Sequence, residues 1–125
     1  MARDSAGNLF ILAQDQALGN YAVYELTAAS SWTSISAVTS ATLINPYGIA
    51  LDHSGNLIVS DIGSSAGILY KAVKSGSTYN FTTLISQTTS INGFTLNSPG
   101  QLAVGSSGAI YLADMNNKRI VIVGP

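Results

Sequence analysis

The chain has 125 residues, one domain's length, with 46% hydrophobic and only 9% charged residues, where globular domains ordinarily carry about a quarter charged. Five Lys+Arg against six Asp+Glu give a formal charge of −1 with no basic run, and there are no cysteines; this argues against a phosphate-tracking nucleic-acid surface and rules out disulfides and thiolate metal sites. The N-terminus lacks a signal-peptide pattern and no apolar run reaches membrane-spanning length, so a soluble chain with no membrane partner is expected and the compartment stays open.

In chain order, Met1-Ala2-Arg3-Asp4 leads into the turn Ala6-Gly7-Asn8 and the apolar run Leu9-Phe10-Ile11-Leu12. The same phrase returns as Ile49-Ala50-Leu51-Asp52, Ser54-Gly55-Asn56 and Leu57-Ile58-Val59-Ser60, and again as Leu102 to Gly105, Gly108 and Ile110-Tyr111-Leu112-Ala113. The turn glycines Gly7, Gly55 and Gly108 stand 48 and 53 residues apart, and a period near 50 marks a solenoid, a propeller or an array. Strands are predicted near Gly48–Leu51, Leu57–Asp61, Ile68–Val73 and Tyr79–Ser86, with Gly supplying the tight turns. The first copy also gives four strands, its outermost aligned through Trp32-Thr33-Ser34-Ile35 with Phe81-Thr82-Thr83-Leu84, and the third gives three, ending at Arg119–Val123.

Runs such as LIVSD and AIYLAD do not alternate apolar with polar, as expected of strands covered on both faces. Four-stranded antiparallel sheets stacked around an axis meet that need, so the predicted fold is all-β, a β-propeller segment of about three blades. One segment over 1–125 is expected, with blades at about 1–38, 46–86 and 99–125, the last lacking its outer strand. An isolated arc would expose apolar blade faces, and the chain starts at an innermost strand and stops at a third. The expected partner is therefore itself, in a homodimer that closes a six-bladed ring.

The second and third copies resemble the NHL-repeat β-propellers. Pro46, Gly48, Ile49, Ala50, Asp52, Gly55, Asn56 and Asp61 match that repeat, as do Pro99, Ala103, Gly108, Tyr111, Ala113, Asp114, Asn117, Arg119 and Ile120. The first copy departs, with Ala13 where Asp61 and Asp114 stand, and the third has Gln101 for glycine and Gly105 for Asp. The resemblance implies a propeller that commonly closes with six blades. It also brings in related enzymes, among them lyases with several His around a central metal and six-bladed enzymes whose channel acids bind calcium or open lactones.

Candidate chemistry is sparse. His53 is the only histidine and reads as an exposed turn residue. Asp52, Asp61 and Asp114 recur at strand ends, where Asp ordinarily bonds backbone N–H groups and organises a turn, and Asp114–Arg119 reads as an ion pair. The DHSGN stretch lacks the alternating acids of a calcium loop, and Asn80-Phe81-Thr82 is a chance-level glycosylation sequon. The long connections Thr39–Pro46 and Ser86–Pro99 share one end of the blades with Gln14–Asn20, Asp61–Gly67 and Asp114–Lys118, and place Asn45, Tyr47, Asp61, Asn97, Asp114 and Asn116 around a channel mouth. The expectation is a non-enzymatic, self-assembling scaffold that binds a protein, peptide or glycan, without catalytic residues, metal, cofactor or nucleic acid. The alternative is a fragment or relative of a six-bladed propeller hydrolase or lyase with a metal in its channel.

Overall fold

A computed structural model describes residues 1–17, 19–38 and 43–125. Its strands are β1 (Ala2–Arg3), β2 (Leu9–Gln14), β3 (Tyr21–Leu26), β4 (Ile35–Ala37), β5 (Pro46–Leu51), β6 (Leu57–Asp61), β7 (Ile68–Ser75), β8 (Thr78–Ile85), β9 (Pro99–Val104), β10 (Ile110–Asp114) and β11 (Arg119–Val123). They form three antiparallel sheets in consecutive order, β1 to β4, β5 to β8 and β9 to β11. The turns behave as the sequence predicts: Gly7, Gly55 and Gly108 take φ values of 88°, 78° and 88°, a region glycine enters without steric cost.

Two side-chain boxes secure the first of these turns in each four-stranded sheet. The Asp4 carboxylate accepts the backbone N–H and the side-chain amide of Asn8, at 2.8 and 2.9 Å, and Asp52 does the same for Asn56, both at 2.9 Å. Each asparagine oxygen then accepts one more backbone N–H, from Ala28 and from Lys74, both at 3.0 Å. The third sheet has Gly105 and Ala109 at these positions and ties the turn through backbone bonds and a long one, 3.4 Å, from the Ala109 N–H to the Ser107 hydroxyl.

The unbroken apolar run of β6 has a direct cause. Leu57 and Val59 point to one side, packing with Ala72 and Tyr79 against Phe10 and Val23 of the first sheet. Ile58 points to the other, joining Leu69 and Ile85 against Ile110, Leu112 and Val121 of the third. The middle sheet is thus buried on both faces, and each fully covered aliphatic side chain there contributes about 1.5–3 kcal/mol. The Phe10 and Tyr79 rings meet edge-on at 5.9 Å and 74° across the first seam. β1, β5 and β9 pack side by side along the inner edge.

One alignment shifts. Leu26 pairs with Ile35 where Ala72 pairs with Phe81, so Ile35, not Trp32, occupies the position of Phe81. A 3-10 turn at Ala28–Ser30, which the sequence did not suggest, followed by left-handed Ser31 and Trp32 (φ 56° and 59°), takes up the extra residues. Trp32 instead donates its indole N–H to the Gly7 carbonyl at 3.2 Å. Of the connection Thr39–Pro46, positions 39–42 lie outside the described residues, as does Leu18 of Gln14–Asn20.

Candidate functional site

The connections entering β5 and β9 are held at one end of the sheets by two buried carboxylates. Pro46 pairs with Asp61 and Pro99 with Asp114, so each Asp sits beside the residues that precede an inner strand. Asp61 is fully buried, and its oxygens accept the backbone N–H groups of Asn45, Gly63 and Ile44, each at 2.8 Å. Asp114, also fully buried, accepts the Asn97 N–H at 2.7 Å, the Asn117 amide at 2.8 Å and Arg119 Nε at 2.7 Å. Burial pushes the Asp114 carboxyl up, but the donors Asn117, Asn97 and Arg119 together outweigh it and hold the group below the usual carboxylate range.

These clamps present short polar side chains outward. Asn45, Tyr47, Asn97 and Asn116 are all exposed. Asn116 donates its amide to the Asn97 oxygen at 3.1 Å and to Ser98 Oγ at 3.0 Å, so Asn97, Asn116 and Asp114 form one connected group. Asn45 and Asp61 form a second. Tyr47 stands where the β5–β6 register shifts, 49% exposed, and no described hydrogen bond ties it to the others.

The opposite end of β5 holds a different cluster. Arg3, Asp4, Ser5, Leu51, Asp52, His53 and Gly55 line a cleft of about 230 Å³. Asp52 is paired with Lys71 at 2.9 Å and accepts the N–H of Ser54 at 2.9 Å. Burial raises its pKa, yet the Asn56 side chain, Lys71 and the backbone donors of Asn56 and Ser54 bring it below the ordinary value. His53 is exposed in the turn. Among the described residues no three His, Cys, Asp or Glu side chains converge as a metal site would require, and Asp61, Asp114 and Asp52 have their oxygens occupied by protein donors.

Sequence reasoning missed Ser60. Its hydroxyl is buried, accepts the Gly48 N–H at 2.8 Å and donates to the Gly100 carbonyl at 2.7 Å, bridging the second and third sheets. A Cβ on Gly48 would lie 2.6 Å from that same carbonyl, so the close approach admits only glycine. The legible signal was a hydroxyl within an otherwise apolar run.

No protein-family profile and no curated protein sequence matches this chain. Solved structures do match. One, described as a "putative gluconolactonase", superposes with a TM-score of 0.62 at 20% identity, over 88% of this chain and 39% of the other. The chain has the fold of a partial β-propeller. It spans well under half the length of that neighbour, and the narrower NHL resemblance rests on its motifs alone. The expectation of a non-enzymatic module is corrected by this likeness, since the matching propeller carries the name of an enzyme. That expectation leaned on the repetition of Asp52, Asp61 and Asp114 at strand ends and on His53 having no second histidine beside it.

Proposed function

We propose that the chain is a three-blade portion of a propeller hydrolase that opens small polyhydroxy ring esters of the lactone type at the mouth formed by Asn45, Tyr47, Asn97 and Asn116. The propeller likeness to a gluconolactonase supports this reading, together with the carboxamides that Asp61 and Asp114 hold at that end. In the reaction water adds to the acyl carbon, the ring C–O bond breaks, and the proton lost by water ends on the released alkoxide. The amide N–H donors of Asn45 and Asn97 suit the charge that develops on the ester oxygen, and their carbonyls accept substrate hydroxyls. Asp61 and Asp114 are positioning residues, because their oxygens are consumed by protein donors.

A second copy of this chain is the proposed source of the remaining blades. The outer face of the third sheet carries Tyr111, Ile120 and Ile122, exposed by 42%, 61% and 62%. Tyr111 and Ile120 hold the ladder positions that Ile58 and Leu69 hold in the middle sheet, where both are fully covered by the next sheet. A face built like a seam calls for another blade.

Proton release from glucono-δ-lactone, corrected for spontaneous opening, tests the reaction on the oligomer isolated by size exclusion, with and without added divalent cations. Turnover that falls about a hundredfold in Asn97→Ala supports the reading. Rates equal to buffer under every condition overturn it.

A further inference from the structure

On the same end of the blades, but at the seam between the second and third sheets, lies a cavity of about 360 Å³ that shares Asn97 with the channel mouth, within the usual size of a small-molecule site. Its walls come from Ser65, from Ser90 and the 93–97 segment, and from Asn117. None of its lining side chains is charged. We propose that this cavity binds a neutral saccharide, independently of any reaction at the channel mouth.

Three observations lead there. The hydroxyls of Ser65, Ser90 and Thr95 make no hydrogen bond among the described residues, leaving donors and acceptors free for ligand hydroxyls. Phe94 keeps 59% of its surface exposed beside them, and an aromatic face flanked by hydroxyls and amides is the surface that a sugar's C–H face and O–H edge require together. The wall is also held in shape. Arg119 donates to the Ile91 carbonyl at 2.6 Å and the Phe94 carbonyl at 3.2 Å, its guanidinium carbon lies 5.5 Å from the Phe94 ring centre, and Asn117 donates to the Thr95 carbonyl at 2.8 Å. Loop ordering is therefore largely complete before a ligand arrives.

The same contacts argue against an anion. The Arg119 charge is neutralised by Asp114, and its guanidinium is spent on two carbonyls and that carboxylate. A peptide would want either charge or a deep apolar pocket, and Leu96 is the only aliphatic side chain in the lining.

The test is titration of the full, isotope-labelled chain with methyl glucoside, galactose and N-acetylglucosamine, followed by amide shifts. At least one sugar should move the amides of Ser65, the 91–97 segment and Asn117 in a saturable way, with a dissociation constant of about a millimolar. Phe94→Ala, a change at an exposed position, should weaken that binding about tenfold and Thr95→Val severalfold, with the melting temperature unchanged. If no sugar moves these amides, if Phe94→Ala binds as the parent does, or if only a neutral tripeptide shifts them, the assignment is wrong. Failure of lactone opening leaves this titration standing, because Ser65, Phe94 and Thr95 take no part in that chemistry.

Discussion

The Ser60 hydroxyl donates to the Gly100 carbonyl, 2.7 Å away across the seam between two blades, while accepting the N–H of Gly48 at 2.8 Å. One side-chain oxygen thereby satisfies two buried backbone groups that belong to different sheets. Ser60→Ala strands both, and a buried unpaired group costs roughly 1–3 kcal/mol. Urea unfolding should show a loss of that size with an unchanged slope, whereas Ser54→Ala in the exposed turn should cost far less.

Asp114 joins a stability effect to pH. Its folded-state pKa is depressed from the model-peptide value of 3.8, so its contribution is present above that value and is lost as pH falls through the folded one. Melting temperature should stay level near neutrality and drop below about pH 4. Asp114→Asn removes the charge facing the partly exposed Arg119, which costs about 1–3 kcal/mol, and should flatten the acid limb of the profile.

Tyr79 gives the opposite sign. Its hydroxyl is buried without a partner among the described residues, and burial, with smaller contributions from Glu25 and Asp4, pushes its pKa up to about 12 from 10.0. Below pH 10 the group is protonated folded or unfolded. Between about 10 and 12 the unfolded chain releases the proton first, so stability falls as pH rises. Tyr79→Phe should be neutral or stabilising by up to about 1 kcal/mol near neutrality and should show a shallower alkaline decline. A clear destabilisation by urea unfolding would mean that the hydroxyl has a partner.

Ring closure by a second copy makes a prediction about mass. Light scattering behind size exclusion should give a species near twice 12.9 kDa, and Ile122→Lys, placed on the exposed face of the third sheet, should convert it to monomer with its strands intact by circular dichroism. A wild-type monomer at high concentration overturns that assembly.

The strands were legible because each apolar run is bounded by glycine turns and because the middle blade is covered twice, which erases the alternation of a half-exposed sheet. The roles of Asp61 and Asp114 in holding backbone N–H groups were legible too, since a lone carboxylate at a strand end has few other uses. Trp32 misled because an aromatic residue looks like a strand residue, and nothing in its neighbourhood announces the three-residue detour of the 3-10 turn. The mouth is proposed from loop placement, and its chemistry left no mark in the sequence, as carboxamides carry no titrating signature. The cavity at the second seam was out of reach. Ser65, Phe94 and Asn117 are joined only by the stacking of one sheet on the next.

Each sheet is a run of consecutive strands with no crossover, and this bears on how the chain acquires its structure. Every pairing within a sheet closes a short loop, so a blade can zip up from its own hairpins without waiting for distant segments. The seams come afterwards, as neighbour-to-neighbour couplings along a line. In the monomeric Ile122→Lys chain, amide exchange should accordingly be slowest in β6, which has a neighbour on both sides, and quicken toward β4 and β11. The array should lose its outer members first on gentle denaturation, with the middle blade the last to open.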